Sequence, residues 1–159
     1  MSTPYVVREA VEPGDREACF AVRKEVFVAE QGVPEDLEYD AYDDGAVHVL
    51  ALGADGEALG TGRLLHGEAA AAKNGGGLAA QQTPGSLGRL AVTRRARGLG
   101  VGAALVRGIE EAARARGLTA VDLHAQTHAL GFYERLGYEA YGPEFPDAGM
   151  PHRAMRRVL

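Results

Sequence analysis

The chain has 159 residues, of which 46% are hydrophobic and 25% are charged, values typical of a globular protein that argue against global disorder. Its net charge of −5 argues against a general nucleic-acid binder. The length suits one hydrophobic core, and we predict a single domain over residues 1–159.

The sequence shows neither a membrane anchor nor a disulfide framework. No apolar stretch is long enough to span a bilayer, and no charged segment leads into an apolar run at the N-terminus, so we predict no signal peptide. Cys19 is the only cysteine, which excludes an intramolecular disulfide. We therefore expect a cytoplasmic protein that does not bind membranes.

The N-terminal part is predicted to contain one strand and one helix. Residues 5–7 form the strand, and the helix starts with Asp15 as its N-cap. Its apolar stripe includes Cys19, which we expect to pack as a small hydrophobe, and it ends before Gly32. The acidic residues 35–44 then form a loop or a short helical turn.

A β-hairpin is predicted next, because an Asp-Gly turn at residues 55–56 separates two apolar segments, 47–52 and 58–65. Gly60 and Gly62 are unusual inside a strand. They indicate either a β-bulge or the close approach of a ligand.

The middle of the chain is predicted to be a long flexible loop at residues 66–85, a strand at 86–92, and a helix that ends at Gly117. The apolar positions of this helix share one face and comprise Val101, Leu105, Ile109, Ala112 and Ala113. The charged positions form the opposite face and comprise Arg107, Glu110, Glu111 and Arg114. Glu110 and Arg114 have the spacing of an ion pair.

The C-terminal part is predicted to contain a strand at 121–125, a helix at 130–136, and two final strands at 138–141 and 154–158. This order of elements predicts an α/β fold with a mixed sheet rather than a regular doubly wound sheet.

A turn rich in arginine and glycine joins the strand at 86–92 to the helix that follows. Gly98, Gly100 and Gly102 allow a ligand to approach the backbone, and a helix N-terminus attracts anions, so the turn predicts a phosphate site. The alternative is a tight helix start that packs on the sheet. The glycine spacing differs from the dinucleotide fingerprint, and the lysine of a Walker loop is missing. Positive charge at the turn comes from Arg94, Arg95 and Arg97.

Several segments resemble motifs of the GNAT N-acetyltransferase superfamily. Residues 97–102, RGLGVG, match its Arg/Gln-x-x-Gly-x-Gly/Ala motif, and residues 90–92, LAV, stand where the family has the preceding strand. Residues 131–138, GFYERLGY, resemble its second signature, FYerlGF. Residues 26–34, VFVAEQGVP, are similar to the VFVxEQ segment of the ElaA-like branch.

This resemblance implies a mixed, splayed central sheet flanked by helices, with acetyl-CoA held in the opening between two central strands. The backbone of Leu90 and Val92 would pair with the pantetheine arm as an added strand does. Gln126 stands where the family often has asparagine, and its amide is expected to bond to the same arm. The residues assigned to the co-substrate are Leu90, Ala91, Val92, Arg97, Gly98, Leu99, Gly100, Val101, Gly102 and Gln126.

Tyr133 matches the position at which the family places the proton donor to the leaving sulfur; its alternative role is packing beside Phe132. Residues 88–92 lack the carboxylate that many relatives carry as a base. Candidate bases in the sequence are Glu30, Glu38, His48, His124 and His128. His124 is attractive because imidazole titrates near neutral pH, and a water chain without a dedicated base fits equally. The catalytic assignment is therefore Tyr133, with His124 and Glu30 as candidate bases.

The resemblance implies an N-acetyltransferase that moves an acetyl group from acetyl-CoA to a primary amine by direct attack in a ternary complex, without a metal. We expect residues 35–44 to line the acceptor site and to favour a cationic small molecule. The alternatives are a non-catalytic acyl-CoA-binding or regulatory module and a peptide-binding scaffold. We expect a monomer or a homodimer.

Overall fold

The computed structural model of the chain describes residues 5–35, 40–73, 84–147 and 149–159. Its strands are β1 (Tyr5–Glu9), β2 (Val47–Gly53), β3 (Ala58–Leu65), β4 (Gly85–Val92), β5 (Ala120–Gln126), β6 (Glu139–Asp147) and β7 (Met150–Val158). Its helices are α1 (Asp15–Arg23), α2 (Glu68–Lys73), α3 (Val101–Ala115) and α4 (Leu130–Arg135). π-Helical turns over Lys24–Glu30 continue α1.

Within the described ranges, the strands form one seven-stranded sheet in the order β1-β2-β3-β4-β5-β7-β6. Neighbouring strands are antiparallel except for β4 and β5, which are parallel. β4 pairs with β5 only over three residues, Gly85–Leu87 against Val121–Leu123. Beyond them, β4 continues to pair with β3, and β5 continues to pair with β7. Arg89, with a φ of 51°, lies just after this point. The parallel strands therefore separate into an opening, which confirms the predicted mixed, splayed sheet.

Helices cover the sheet on two faces, because alternate residues of a strand point to opposite sides. Leu90 and Val92 of β4 pack into the core formed with α3, and we call this side the α3 face. Ala91 packs with Val22 and Val26 of the α1 segment, and we call that side the α1 face. The opening between β4 and β5 thus lies between two faces that different helices cover.

The apolar stripe predicted for α3 is buried as expected: Val101, Leu105, Ile109, Ala112 and Ala113 are each at most 3% exposed. The two strand glycines allow this helix to lie close to the sheet. A Cβ on Gly60 would lie 2.8 Å from Leu105 Cδ1, and a Cβ on Gly62 would lie 2.7 Å from Ile109 Cδ1. The register of β3 against β4 shifts between Thr61 and Arg63, so the predicted bulge is present, and side chains of α3 fill the space.

Gly60→Ala is expected to lower the free energy of unfolding by about 1–3 kcal/mol, because overpacked cores lose stability on this scale. The added methyl group would also lie 3.0 Å from the carbonyl oxygen of Ala91. Urea unfolding followed by circular dichroism measures the change. Gly45→Ala is the matched control, since nothing lies within 4 Å of its added Cβ. Equal midpoints for the two variants would contradict the close packing of α3.

Four local predictions were wrong. Within the predicted loop at 66–85, Glu68–Lys73 form the helix α2, while residues 74–83 lie outside the described residues. β6 and β7 are longer than expected. Gly14 takes the N-cap position of α1, while the Asp15 carboxylate accepts hydrogen bonds from Arg8 and the Glu12 N–H. Glu110 does not face solvent, and Arg114 pairs with Glu111 instead.

Glu110 is fully buried because three donors satisfy its carboxylate. Tyr138 Oη donates to it over 2.9 Å, and Arg107 Nη1 lies 2.9 Å from Oε1. Arg157 Nη1 of β7 donates to the same oxygen. A charge pattern along one helix does not reveal partners from β7 and from the start of β6, which explains the error.

A second buried polar group holds the α1 segment on the sheet; we call it the arginine–aspartate cluster, and it comprises Arg23, Asp40, Asp43, Arg63 and Arg89. Asp43 pairs with Arg23 over 2.8 Å and with Arg63 over 3.0 Å. Asp40 pairs with Arg63 over 2.7 Å and with Arg89 over 3.2 Å. Arg23 and Arg63 are at most 2% exposed, so these carboxylates are needed to compensate their buried charges.

Among the helices described, none is both long and apolar enough to cross a membrane.

Candidate active site

The arginine- and glycine-rich turn lies where β4 ends and α3 begins, next to the opening. Gly98 and Gly100 have φ values of 84° and 79°, a left-handed conformation that glycine adopts at little cost. The N–H of Ala104 donates to the carbonyl oxygen of Gly100, the acceptor of the first helical turn. The N–H groups of Val101 and Gly102 precede this bond, so they have no acceptor within the helix. They are suited to bind an anion.

Two contacts hold this turn in shape. Tyr5 Oη of β1 donates a hydrogen bond to the carbonyl oxygen of Leu99 over 3.2 Å. A Cβ on Gly102 would lie 3.3 Å from Phe132 Cζ, so α4 packs directly on the first turn of α3. By contrast, nothing lies within 4 Å of a Cβ built on Gly98. The turn is thus supported by protein on one side and open at Gly98, which fits a pyrophosphate group.

Arg97 connects the turn to two other segments. Its two terminal nitrogens donate to the two carboxylate oxygens of Glu30, each over 2.8 Å, and its Nε donates to the carbonyl oxygen of Val92 over 3.2 Å. The hydrogen bonds from Arg97 lower the pKa of Glu30. A carboxylate engaged in this way is a poor proton acceptor, so the geometry disfavours Glu30 as the base. The charge of Arg97 is also partly neutralised.

The other two arginines of the turn are paired as well. Arg95 lies 3.5 Å from Glu25 and 3.4 Å from Glu57, and Arg94 lies 3.9 Å from Glu30. The expected excess of positive charge is therefore smaller than the sequence implies, and the backbone N–H groups become the main anion-binding feature of the turn.

The backbone of β4 presents polar groups to the opening. The N–H of Thr93 donates to the carbonyl oxygen of Leu59, and Ala91 is the cross-strand partner of Thr61. Since hydrogen-bonding directions alternate along an antiparallel strand, the N–H and C=O groups of Leu90 and Val92 point away from β3. They face the opening, as the expected pairing with pantetheine requires.

Tyr133 of α4 packs from the α3 face. Its ring lies edge-on to Phe132, with centroids 4.9 Å apart, and to Tyr138, with centroids 6.0 Å apart. Burial raises the pKa of Tyr133 to about 12. Among the described residues, none forms a hydrogen bond with its hydroxyl group. The ring of Tyr133 thus packs against its neighbours, while its hydroxyl group remains available as a hydrogen-bond donor.

On the opposite side, β5 presents two of the expected residues at the opening. Val121, Leu123 and Ala125 point into the core under α3, so His124 and Gln126 point to the α1 face. His124 is exposed, and its ring lies edge-on to Phe145 with centroids 5.1 Å apart.

The remaining candidate bases are placed less favourably. His48 of β2 is buried, its Nε2 lies 3.0 Å from the carbonyl oxygen of Asp43, and burial lowers its pKa. His128 is exposed in the turn before α4. Glu38 lies outside the described residues.

The acidic segment at 35–44 is largely paired where it is described. Asp40 and Asp43 belong to the arginine–aspartate cluster, and Glu35 lies 3.6 Å from Lys24. Residues 36–39 lie outside the described ranges. These pairs do not support the expectation that the segment offers free negative charge to a cationic acceptor.

A family model described as an acetyltransferase (GNAT) domain matches residues 9–159. The chain belongs to the GNAT acetyltransferase family. It is therefore an acyltransferase, and its family implies an acyl-CoA co-substrate.

Relatives of this GNAT protein match over most of its length. YjcF of Bacillus subtilis (strain 168), named an uncharacterized N-acetyltransferase, is 36% identical over 140 residues, which cover 87% of this chain and 89% of YjcF. An acyl-CoA N-acyltransferase from Pseudomonas aeruginosa has a TM-score of 0.77 at 29% identity, covering 99% of this chain and 100% of the other. ElaA of Escherichia coli shares the fold, with a TM-score of 0.76 at 24% identity over 98% and 99% of the two chains.

Sequence reasoning missed one polar residue at this site. His152 of β7 is the cross-strand neighbour of Gln126, and its ring stacks on Phe145. The sequence contains no motif that marks it. A correct pairing of β5 with the last strand would have revealed it.

Proposed function

We propose that this GNAT acyltransferase transfers the acetyl group of acetyl-CoA to a primary amine of a small molecule by direct attack in a ternary complex. The observation that carries the proposal is the opening between β4 and β5. It connects the N-terminus of α3 on one side with exposed polar side chains of β5 on the other.

The donor is proposed to bind along β4 from the α3 face. N–H groups at the start of α3, including those of Val101 and Gly102, hold the pyrophosphate. The backbone groups of Leu90 and the N–H of Val92 pair with the amides of the pantetheine arm, while the carbonyl oxygen of Val92 also accepts from Arg97 Nε. The side-chain amide of Gln126 points to the α1 face, so it is proposed to bond to the part of the arm that passes through the opening. Bound acetyl-CoA supplies a thioester, whose carbonyl carbon is the point of attack.

Tyr133 is proposed to stabilise the leaving sulfur. Its pKa of about 12 keeps the hydroxyl group protonated at neutral pH. A thiol has a pKa of about 8.5, so full transfer of the phenolic proton to the thiolate is unfavourable. A hydrogen bond from the hydroxyl group to the departing thiolate is favourable, and the thiolate then takes its proton from solvent.

The acceptor is proposed to enter from the α1 face. Its amine must be neutral to attack, and a free alkyl amine has a pKa near ~10, so a base or a proton path is needed. His124 borders the opening on this face, and its imidazole is one candidate to accept the proton of the amine. The aspartates of the arginine–aspartate cluster are paired, so they supply no argument for a cationic acceptor. The assay below therefore uses amines of different charge.

The test is release of free thiol from acetyl-CoA with a panel of cationic, neutral and anionic primary amines. We expect turnover with at least one amine class and none with acetyl-CoA alone beyond slow hydrolysis. Tight CoA binding without turnover on any amine would favour the non-catalytic acyl-CoA-binding module and contradict the proposal.

Two matched variants test the donor site in the same assay. Gly98→Asp and Gly98→Asn differ by one charge, and both side chains tolerate the left-handed conformation. A negative charge near the pyrophosphate should cost about 1–2 kcal/mol, so we expect Gly98→Asp to bind CoA about tenfold more weakly than Gly98→Asn in calorimetry. Equal affinities would place the pyrophosphate elsewhere.

A further inference from the structure

His152 lies on the α1 face beside the acceptor side of the opening. It is the cross-strand partner of Gln126 on β5 and of Phe145 on β6, so the three side chains share one face of the sheet. Gln126 belongs to the part of β5 that has already left β4. His152 is therefore one strand away from the opening, within reach of an acceptor amine directly or through one water molecule.

The backbone fixes the tautomer of this imidazole. Nδ1 of His152 lies 2.9 Å from the carbonyl oxygen of Met150. A carbonyl oxygen only accepts, so Nδ1 carries the proton and donates it, and Nε2 of the neutral ring keeps its lone pair. No described residue forms a hydrogen bond with Nε2. The ring thus presents a basic nitrogen in a defined orientation.

Neighbouring rings restrict the imidazole further. Phe145 stacks on His152 with an interplanar angle of 28° and centroids 6.1 Å apart, and its other contact is the edge of His124. His152 is 9% exposed, whereas His124 is exposed. A base acts best when its ring is held by packing and by a second hydrogen bond. His152 meets both parts of this condition.

Other titratable groups on this face of β5 are accounted for. The carboxylate of Asp122 accepts hydrogen bonds from Arg156 Nε over 2.6 Å and from Tyr141. His124 faces His152 across the ring of Phe145.

We propose that Nε2 of His152 is the base that removes a proton from the acceptor amine, an inference that rests on the proposed acetyl transfer. The amine nitrogen bonds to the thioester carbonyl carbon as the carbon–sulfur bond breaks. Before this attack, Nε2 takes one proton from the protonated amine. As the new bond forms, the nitrogen loses a second proton to solvent, and CoA leaves as the thiolate. The imidazolium then returns its proton to solvent, from which the thiolate takes one.

His152→Asn is the sharpest test, because its amide nitrogen can keep the hydrogen bond to Met150 while the basic Nε2 is lost. His152→Gln is the second variant, with a non-basic amide near the Nε2 position. We expect each to lower kcat about 100-fold at pH 7, within the usual range for a general base. Affinity for CoA by calorimetry and the thermal midpoint should stay at wild-type values.

The pH profile separates a base from a structural residue. In the wild type, kcat should level off above neutral pH, whereas in His152→Asn it should keep rising with pH, because only solvent then neutralises the amine. The deficit of the variant should also shrink as the pH rises toward 9.5, since more of the amine is then already neutral. His66→Gln, at the far end of β3, serves as the control and should match the wild type.

The two proposals fail in different ways. An active wild type with an unimpaired His152→Asn variant would overturn the role of His152 and leave acetyl transfer intact. A 100-fold loss in His124→Gln together with normal rates in both His152 variants would move the base to β5 and overturn the inference. A wild type that binds CoA without acetylating any amine would overturn both.

Discussion

Asp43→Ala is expected to destabilise the protein by about 3–5 kcal/mol, the cost of removing one partner from a buried ion pair. Asp43 accepts hydrogen bonds from Arg23 Nη1 over 2.8 Å and from Arg63 Nη1 over 3.0 Å. Both arginines are at most 2% exposed, and an arginine cannot shed its charge. The variant would bury two cations with too few acceptors. A loss of this size is a large fraction of the stability of an ordinary domain.

Urea unfolding at pH 7 measures this loss, and Asp44→Ala is the matched control. The side chain of Asp44 is 97% exposed and lies 3.7 Å from Arg16, so we expect its removal to change stability by less than about 0.5 kcal/mol. A change below 1 kcal/mol for Asp43→Ala would show that water or rearranged side chains replace the carboxylate.

The same residue predicts an acid dependence. Burial alone would raise the pKa of Asp43, but hydrogen bonds and charge from Arg23 and Arg63 outweigh burial and hold it well below the usual value. A carboxylate with a lowered native pKa contributes its full stability above its unfolded pKa of about 3.9 and loses it as the pH falls. The difference between wild type and Asp43→Ala should therefore shrink below pH 4.

Tyr133→Phe is expected to lower kcat about 10- to 100-fold, because it removes a hydrogen bond to a developing thiolate. Bonds to charged groups contribute about 1.5–3 kcal/mol. Since the pKa of Tyr133 is about 12, the hydroxyl group stays protonated to high pH, and the wild type should show no loss of activity from its ionisation up to about pH 10. Steady-state thiol release over a range of pH measures both effects.

Tyr138→Phe is the control for the loss of a phenolic hydroxyl group near the same rings. The hydroxyl of Tyr138 donates to Glu110 over 2.9 Å in the core. Its removal should cost about 1–3 kcal/mol of stability, while kcat per folded molecule stays within twofold of the wild type. Tyr133→Phe should show the opposite pattern, with normal stability and low activity. Wild-type turnover in Tyr133→Phe would leave packing as the role of this ring.

The position of most elements followed from local patterns, since strands, turns and helix ends depend on residues close in sequence. The turn at Gly56, the helix after the glycine turn and its stop before the left-handed Gly117 are examples. α2 was missed because the alanine-rich stretch Glu68–Lys73 stands next to a glycine-rich one, and composition alone suggested a loop. Alanine has the highest helix propensity, so the six residues themselves favour a helix once the glycines are left out.

The contacts that local patterns do not reveal have a different origin, because they depend on partners distant in sequence. Glu30, which is 67 residues away from Arg97, engages its guanidinium group. Glu110 was placed in solvent, and Arg157 of β7 accounts for its burial. His152 carries no motif and is brought to the site by strand pairing. The pairing register of strands that are far apart in the chain cannot be inferred from local patterns in a single sequence.

Contacts within the chain support the glycine turn at three points. Tyr5 supports it at Leu99, Phe132 packs on it at Gly102, and Arg97 ties its first residues to the end of β4. A segment that must order itself on binding slows association and weakens affinity. Because contacts within the chain fix this turn, the proposed capture of the donor there requires no prior loop rearrangement. Differences in affinity among acyl chains of different length should then arise in the rate of dissociation.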